Sequence, residues 1–73
     1  MKAQEMFEKL GYVKKETNQY YVEYVKGTVE ISFNIPRKLL SVGRWYDTEL
    51  CAFYVEFGEI KAITQQIKEL GWK

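Results

Sequence analysis

The sequence predicts an α+β domain of order α-β-β-β-β-α: an antiparallel sheet of three to four strands, with N- and C-terminal helices packed on one face. Three observations lead there. Amphipathic stretches with helical spacing stand near both ends of the chain. Between them run stretches in which apolar and polar residues alternate. One phrase, Leu-Gly-aromatic, closes each terminal stretch, at Leu10-Gly11-Tyr12 and Leu70-Gly71-Trp72.

In the first stretch Ala3, Met6, Phe7 and Leu10 fall at i, i+3, i+4 and i+7, one face of an α-helix. Gly11 then offers the left-handed conformation in which helices commonly stop, and Tyr12 is set to fold back onto Phe7. Residues 13–19 are mostly polar and read as a connector. Tyr20 to Val25 and Thr28 to Ile35 alternate, with Val29, Ile31, Phe33 and Ile35 on one side and Thr28, Glu30, Ser32 and Asn34 on the other. Lys26-Gly27 between them predicts a hairpin. A two-residue loop there would set Tyr24 against Val29 and Glu23 against Glu30. A three-residue loop with Gly27 in a bulge is the rival.

Pro36 lacks an N–H and ends the second strand. A third strand is expected over Arg37 to Tyr46, bent at Gly43, then a turn at Asp47-Thr48-Glu49 and a fourth strand over Leu50 to Phe57. Glu59 to Trp72 predicts the closing helix. Ile60, Ile63, Ile67 and Leu70 form its apolar stripe, and Lys61, Gln65, Gln66, Lys68 and Glu69 its wet side. Glu59 suits the positive end of that helix. Gly71 and Trp72, clasping Ile67, repeat the stop at Gly11 and Tyr12.

The 73 residues make one domain. Hydrophobic residues are 47% and aromatic residues 16% of the chain, which is enough apolar surface to exclude disorder. The net charge of +1 gives no bulk attraction to nucleic acid or membrane. The single cysteine, Cys51, has no partner for an internal disulfide, which predicts a reducing, cytoplasmic setting. No apolar run reaches the length of a membrane span.

The "MFEKLGY" opening (Met6 to Tyr12), the "VEISFNI" strand (Val29 to Ile35) and above all the "IKAITQQIKELGW" close (Ile60 to Trp72) resemble small proteins encoded in phages and prophages of Gram-positive bacteria. That group has no assigned activity. The resemblance implies a setting and no mechanism.

The chain has no histidine, which removes the commonest general base and metal ligand and precludes Ser-His-Asp and Cys-His nucleophile arrangements within it. Its glycines are isolated, so no phosphate-cradling loop is present. We expect no catalytic residue, no metal and no cofactor. The best catalytic candidate, Glu23 facing Glu30, reads as two solvated carboxylates, and Cys51 as a small buried hydrophobe. Two binding constellations remain. With both helices on one face, aromatic residues must lie on the other, so Tyr21, Trp45 and Tyr54 are candidates for contact with an unidentified protein partner or a second copy in a homodimer. The alternative is nucleic-acid binding by Arg37, Lys38, Arg44 and Trp45, since residues 37–46 hold three positive charges and no negative one. The expected function is therefore a non-enzymatic protein-interaction module, with the nucleic-acid reading second.

Overall fold

A computed structural model describes residues 1–46, 49–51 and 55–72, with the side chains of 44–46 and 49–51 left aside. Helix α1 covers Ala3–Lys9, followed by β1 Val13–Thr17, β2 Tyr21–Lys26, β3 Val29–Asn34, β4 Leu39–Tyr46, β5 Glu49–Cys51 and α2 Phe57–Leu70. The strands form one open sheet in the order β1-β2-β3-β4-β5, every pair antiparallel. The α+β class, the antiparallel meander and the two helices sharing one face are those the sequence predicts.

Both helices stop as their glycines require. Gly11 sits at φ +96° and Gly71 at φ +74°. At the first stop the N–H groups of Gly11 and Tyr12 donate to the carbonyls of Glu8 and Phe7, each at 3.0 Å. At the second those of Gly71 and Trp72 donate to Lys68 and Ile67 at 3.1 and 3.2 Å. This is the paired hydrogen-bond pattern of a Schellman cap, formed twice. Tyr12 returns to meet Phe7 edge-on, with ring centroids 5.7 Å apart.

The core lies between helices and sheet. Ala3 and Phe7 of α1, and Ala62 and Ile63 of α2, pack with Val22, Tyr24, Val29, Ile31 and Phe33. Phe7 is its hub: it stacks on Tyr24 at 4.0 Å and meets Phe33 edge-on at 6.4 Å. Trp72 closes the far end against Phe33 at 6.1 Å.

Four local readings are corrected. Val13–Thr17, expected to be a connector, is an edge strand, so the sheet carries one strand more than predicted. A strand with a neighbour on one side only and little burial has no need of an alternating apolar pattern, and charged residues with a bulge between Lys14 and Glu16 protect such an edge from further pairing. The β2–β3 turn is Gly27-Thr28, with Lys26 opposite Val29. Gly27 at φ +59° supplies the first position of a type II′ turn, which a lysine there would not. The pairing shifts by two residues, so the faces stay as predicted while the partners change: Tyr24 faces Ile31 and Glu23 faces Ser32. The third correction is that Phe57, expected in a strand, opens α2. Of the expected fourth strand, Leu50 and Cys51 lie in β5, which begins at Glu49, a residue expected in the turn, and Val55 and Glu56 lie in no strand. The proposed turn residues Asp47 and Thr48, and residues 52–54, lie outside the described residues.

The fourth correction concerns the face of α2. Its buried residues are Glu59, Ala62, Ile63 and Gln66, with Ile67 and Leu70 partly covered, whereas Ile60 is 48% exposed. The helix is turned by about one residue from the predicted stripe of Ile60, Ile63, Ile67 and Leu70. Two tyrosines account for this. The Tyr12 hydroxyl donates to the Glu59 carboxylate, and the Tyr24 hydroxyl donates to Gln66 Oε1 at 2.7 Å. Each buried phenol needs an acceptor, and α2 presents its two polar residues to supply them. Glu59 also accepts the Glu56 N–H at 2.8 Å, so one carboxylate caps the helix and satisfies a core hydroxyl.

Candidate interaction surface

The alternation along each strand and the observed pairings determine what the uncovered face presents. Val22, Tyr24, Val29, Ile31 and Phe33 point into the core. Their strand neighbours therefore stand on the opposite side. One row there is Tyr21, Asn34 and Leu39, from β2, β3 and β4. The next is Glu16, Glu23, Ser32 and Ser41, and the third is Val13, Val25, Glu30 and Gly43. Tyr21 is 40% exposed, Leu39 49% and Val13 64%. Apolar side chains thus stand at both ends of the face, with Glu16, Glu23, Ser32 and Ser41 in its middle row and Glu30 in the end row beside Val25.

The electrostatics of this face follow from the same rows. Glu16 stands directly across from Glu23, a like-charge pair that disfavours the free fold. The Asn18 amide donates to Glu16 at 3.3 Å, and Lys15 in the β1 bulge lies 4.0 Å from Glu30. No group of three or more carboxylates and thiols among the described residues is arranged to hold a metal. Glu23 and Glu30, expected to face each other, do not: Ser32 faces the one and Val25 the other. The two-residue shift of the hairpin separates them.

Of the predicted contact residues, Tyr21 lies on the open face. Its backbone N–H and that of Tyr20 both donate to Asn18 Oδ1, at 3.0 and 2.7 Å, which holds the β1–β2 turn in shape. The Trp45 backbone pairs with Leu50 across β4 and β5. The side chain of Trp45, and the whole of Tyr54, lie outside the described residues.

The basic constellation is divided. Arg37 and Lys38 occupy the four-residue loop between Asn34 and Leu39, where the Arg37 N–H donates to Asn34 Oδ1 at 3.1 Å. Lys38 adopts φ +54°, in the left-handed region. The Ile35 N–H donates to the Tyr20 carbonyl at 2.8 Å, so this loop abuts the β1–β2 turn, where Tyr20 is exposed. Arg44 pairs with Val29, at the other end of β4. Five residue steps of strand separate it from Leu39, about 17 Å. Arg37 and Lys38 share one end of the sheet with Tyr20, and Arg44 and Trp45 belong to the other. The Arg44 side chain lies outside the described residues.

Sequence reasoning missed three contributors. Val13 and Glu16 were hidden in a segment read as a connector. The signal that could have found them is the short apolar-polar sequence Val13 to Thr17 just before a strong hairpin. Leu39 was not separated from its neighbours, because its face depends on the length of the preceding loop. On the other side of the molecule Phe57 is 73% exposed, with the Lys61 ammonium 5.4 Å from its ring centre. No helix among the described residues is long and apolar enough to cross a membrane. Comparison with protein-family models, with curated proteins and with solved structures finds no match to this chain.

Proposed function

We propose that this chain is a non-enzymatic protein-interaction domain that contacts its partner through the sheet face opposite the helices. The supporting observation is that both helices pack on one side, which leaves Val13, Tyr21 and Leu39 in solvent on the other. A small domain with so much apolar surface gains little by leaving an aromatic and two aliphatic residues wet, whereas a partner covering them removes that surface from water. Trp45 and Tyr54 belong to this proposal as further contact residues. The phage or prophage setting and the cytoplasmic location are proposals that rest on the resemblance and on the lone cysteine.

The test is a photo-crosslinking residue at Ser32, in the middle of the open face, against the same residue at Thr64 on the exposed side of α2. We expect a discrete protein adduct from position 32 that Tyr21→Ser abolishes, and none from position 64. Equal adducts from both positions, or one indifferent to Tyr21→Ser, would sink the reading.

Nucleic-acid binding is the second reading. It draws on Arg37 and Lys38 lying beside the exposed Tyr20, where two cations and a ring could meet phosphate and base. The distance to Arg44 and Trp45 weakens it. Titration of labelled single-stranded and duplex nucleic acid at low salt decides it, because phosphate contacts are strongest there.

A further inference from the structure

We infer that the open sheet face pairs with the same face of a second copy of this chain, the basic end of each copy lying against the acidic middle row of the other. The inference rests on the interaction reading above and adds the identity of the partner. The row Tyr21, Asn34 and Leu39 ends the sheet on one side. Just beyond it the exposed Arg37 and Lys38 occupy the β3–β4 loop, and just inside it Glu16 and Glu23 stand in the middle row. Two cations and two carboxylates thus flank a row that carries the exposed Tyr21 and Leu39. The side chains of Arg37, Lys38 and Glu23 have no hydrogen-bond or ion-pair partner among the described residues. Glu16 accepts from the Asn18 amide and faces Glu23. Each set is the counter-charge that the other lacks.

A two-fold axis joins them. Successive rows are about 7 Å apart, and the loop and the middle row lie one step to either side of the Tyr21 row. An axis lying in the plane of contact along that row carries the cations of each copy onto the carboxylates of the other. The contact is then isologous: every charge pair forms twice, and the two Tyr21 rings meet near the axis. The repulsion between Glu16 and Glu23 is offset in the pair. The net charge of +1 leaves little overall repulsion between copies. Area sets the strength. Four strands about 4.8 Å apart and three rows about 7 Å apart give roughly 400 Å² of flat face. That is half of the ~800 Å² per partner of a standard interface, so the dimer is weak and depends on concentration.

Sedimentation equilibrium between about 10 µM and 1 mM protein measures the dimer constant. We expect a monomer–dimer equilibrium that tightens several-fold from physiological to low salt. Arg37→Glu with Lys38→Glu, and separately Glu16→Lys with Glu23→Lys, should each weaken it about tenfold or more. All four substitutions together reverse both sets, leave the net charge at +1 and should bring the dimer back to within a few-fold of the parent. If circular dichroism shows a reversal to be unfolded, the neutral variant Arg37→Gln, Lys38→Gln should still weaken the dimer several-fold. Amide NMR of the parent on dilution should show changes at Tyr21, Glu23, Ser32 and Leu39 and none in α2. The inference is overturned by a monomer throughout at low salt, by a dimer indifferent to either reversal, by a folded fourfold variant that stays monomeric, or by dilution changes confined to α2. The mass of the adduct at position 32 separates its failure from that of the interaction reading. Twice the chain mass is the expected result. A Tyr21-dependent adduct with a different protein would keep the face and remove the second copy, and no adduct at all would remove the interaction reading itself.

Discussion

Tyr24 shows how one hydroxyl can set the orientation of a helix. It is fully buried, and Gln66 is its acceptor. Tyr24→Phe leaves the Gln66 oxygen buried without its donor, and we expect a stability loss of about 1–2 kcal/mol in urea titration. The double change Tyr24→Phe, Gln66→Leu should recover much of it, since replacing both polar partners removes the unsatisfied group. Burial, with smaller contributions from the charges of Glu69 and Glu8, pushes the Tyr24 phenol from 10.0 up to about 12. The unfolded chain therefore loses this proton first. The stability it contributes is complete below pH 10 and is lost as pH rises toward about 12. Denaturation followed across that interval should show a decline that Tyr24→Phe diminishes.

At the scale of elements, the start of α1 is tied to the end of α2. Ala3 at the start of α1 donates its N–H to Glu69 near the end of α2 at 2.7 Å, and within α2 the Gln65 amide donates to the same carboxylate at 3.0 Å. Burial raises the Glu69 carboxyl, but these two hydrogen bonds and nearby Lys2 outweigh it and hold the group below its usual range. Because the folded value is depressed, this contribution is present above about pH 4.5 and is lost as pH falls through the folded value. Glu69→Gln should flatten that acid limb in a pH series of thermal melts. The turned face of α2 gives a sharper contrast. Ile60→Ser should change stability by less than about 0.5 kcal/mol, as exposed sites do, whereas Ile63→Ala should cost about 2–4 kcal/mol. Equal losses in urea titration would restore the predicted stripe. At the first stop, an added Cβ on Gly11 would meet Lys26 Cδ at 3.2 Å in a conformation that side chains avoid, so Gly11→Ala should cost about 1 kcal/mol or more in the same assay.

For the whole molecule, the consequence of placing both helices on one side is a sheet with two unlike faces. The covered face is aromatic and aliphatic, and the open one mixes carboxylates and hydroxyls with exposed apolar residues. The sequence exposed this division as far as the alternation in β2 and β3 reached, because a two-residue shift in pairing leaves faces unchanged. It did not expose which residues share a row. Row membership depends on the exact turn residues, and hence on Gly27 rather than Lys26 taking the first turn position. Glu16 and Glu23 stand opposite each other in one of these rows, so Glu16→Gln should raise stability by a few tenths of a kcal/mol, roughly, in urea titration. A loss of stability in that variant would contradict this pairing.

The chain order alone determined the class, the helix stops and the inward face of the hairpin, because each depends on neighbours within a few residues: a glycine after an apolar turn, or the period-two alternation of Val29 to Phe33. Tertiary structure decided the edge strand, the row partners and the side of α2 that turns inward. Those outcomes depend on distant groups. The Tyr12 and Tyr24 hydroxyls donate to Glu59 and Gln66, on a helix 47 and 42 residues further along the chain, and a buried phenol left without an acceptor is costly.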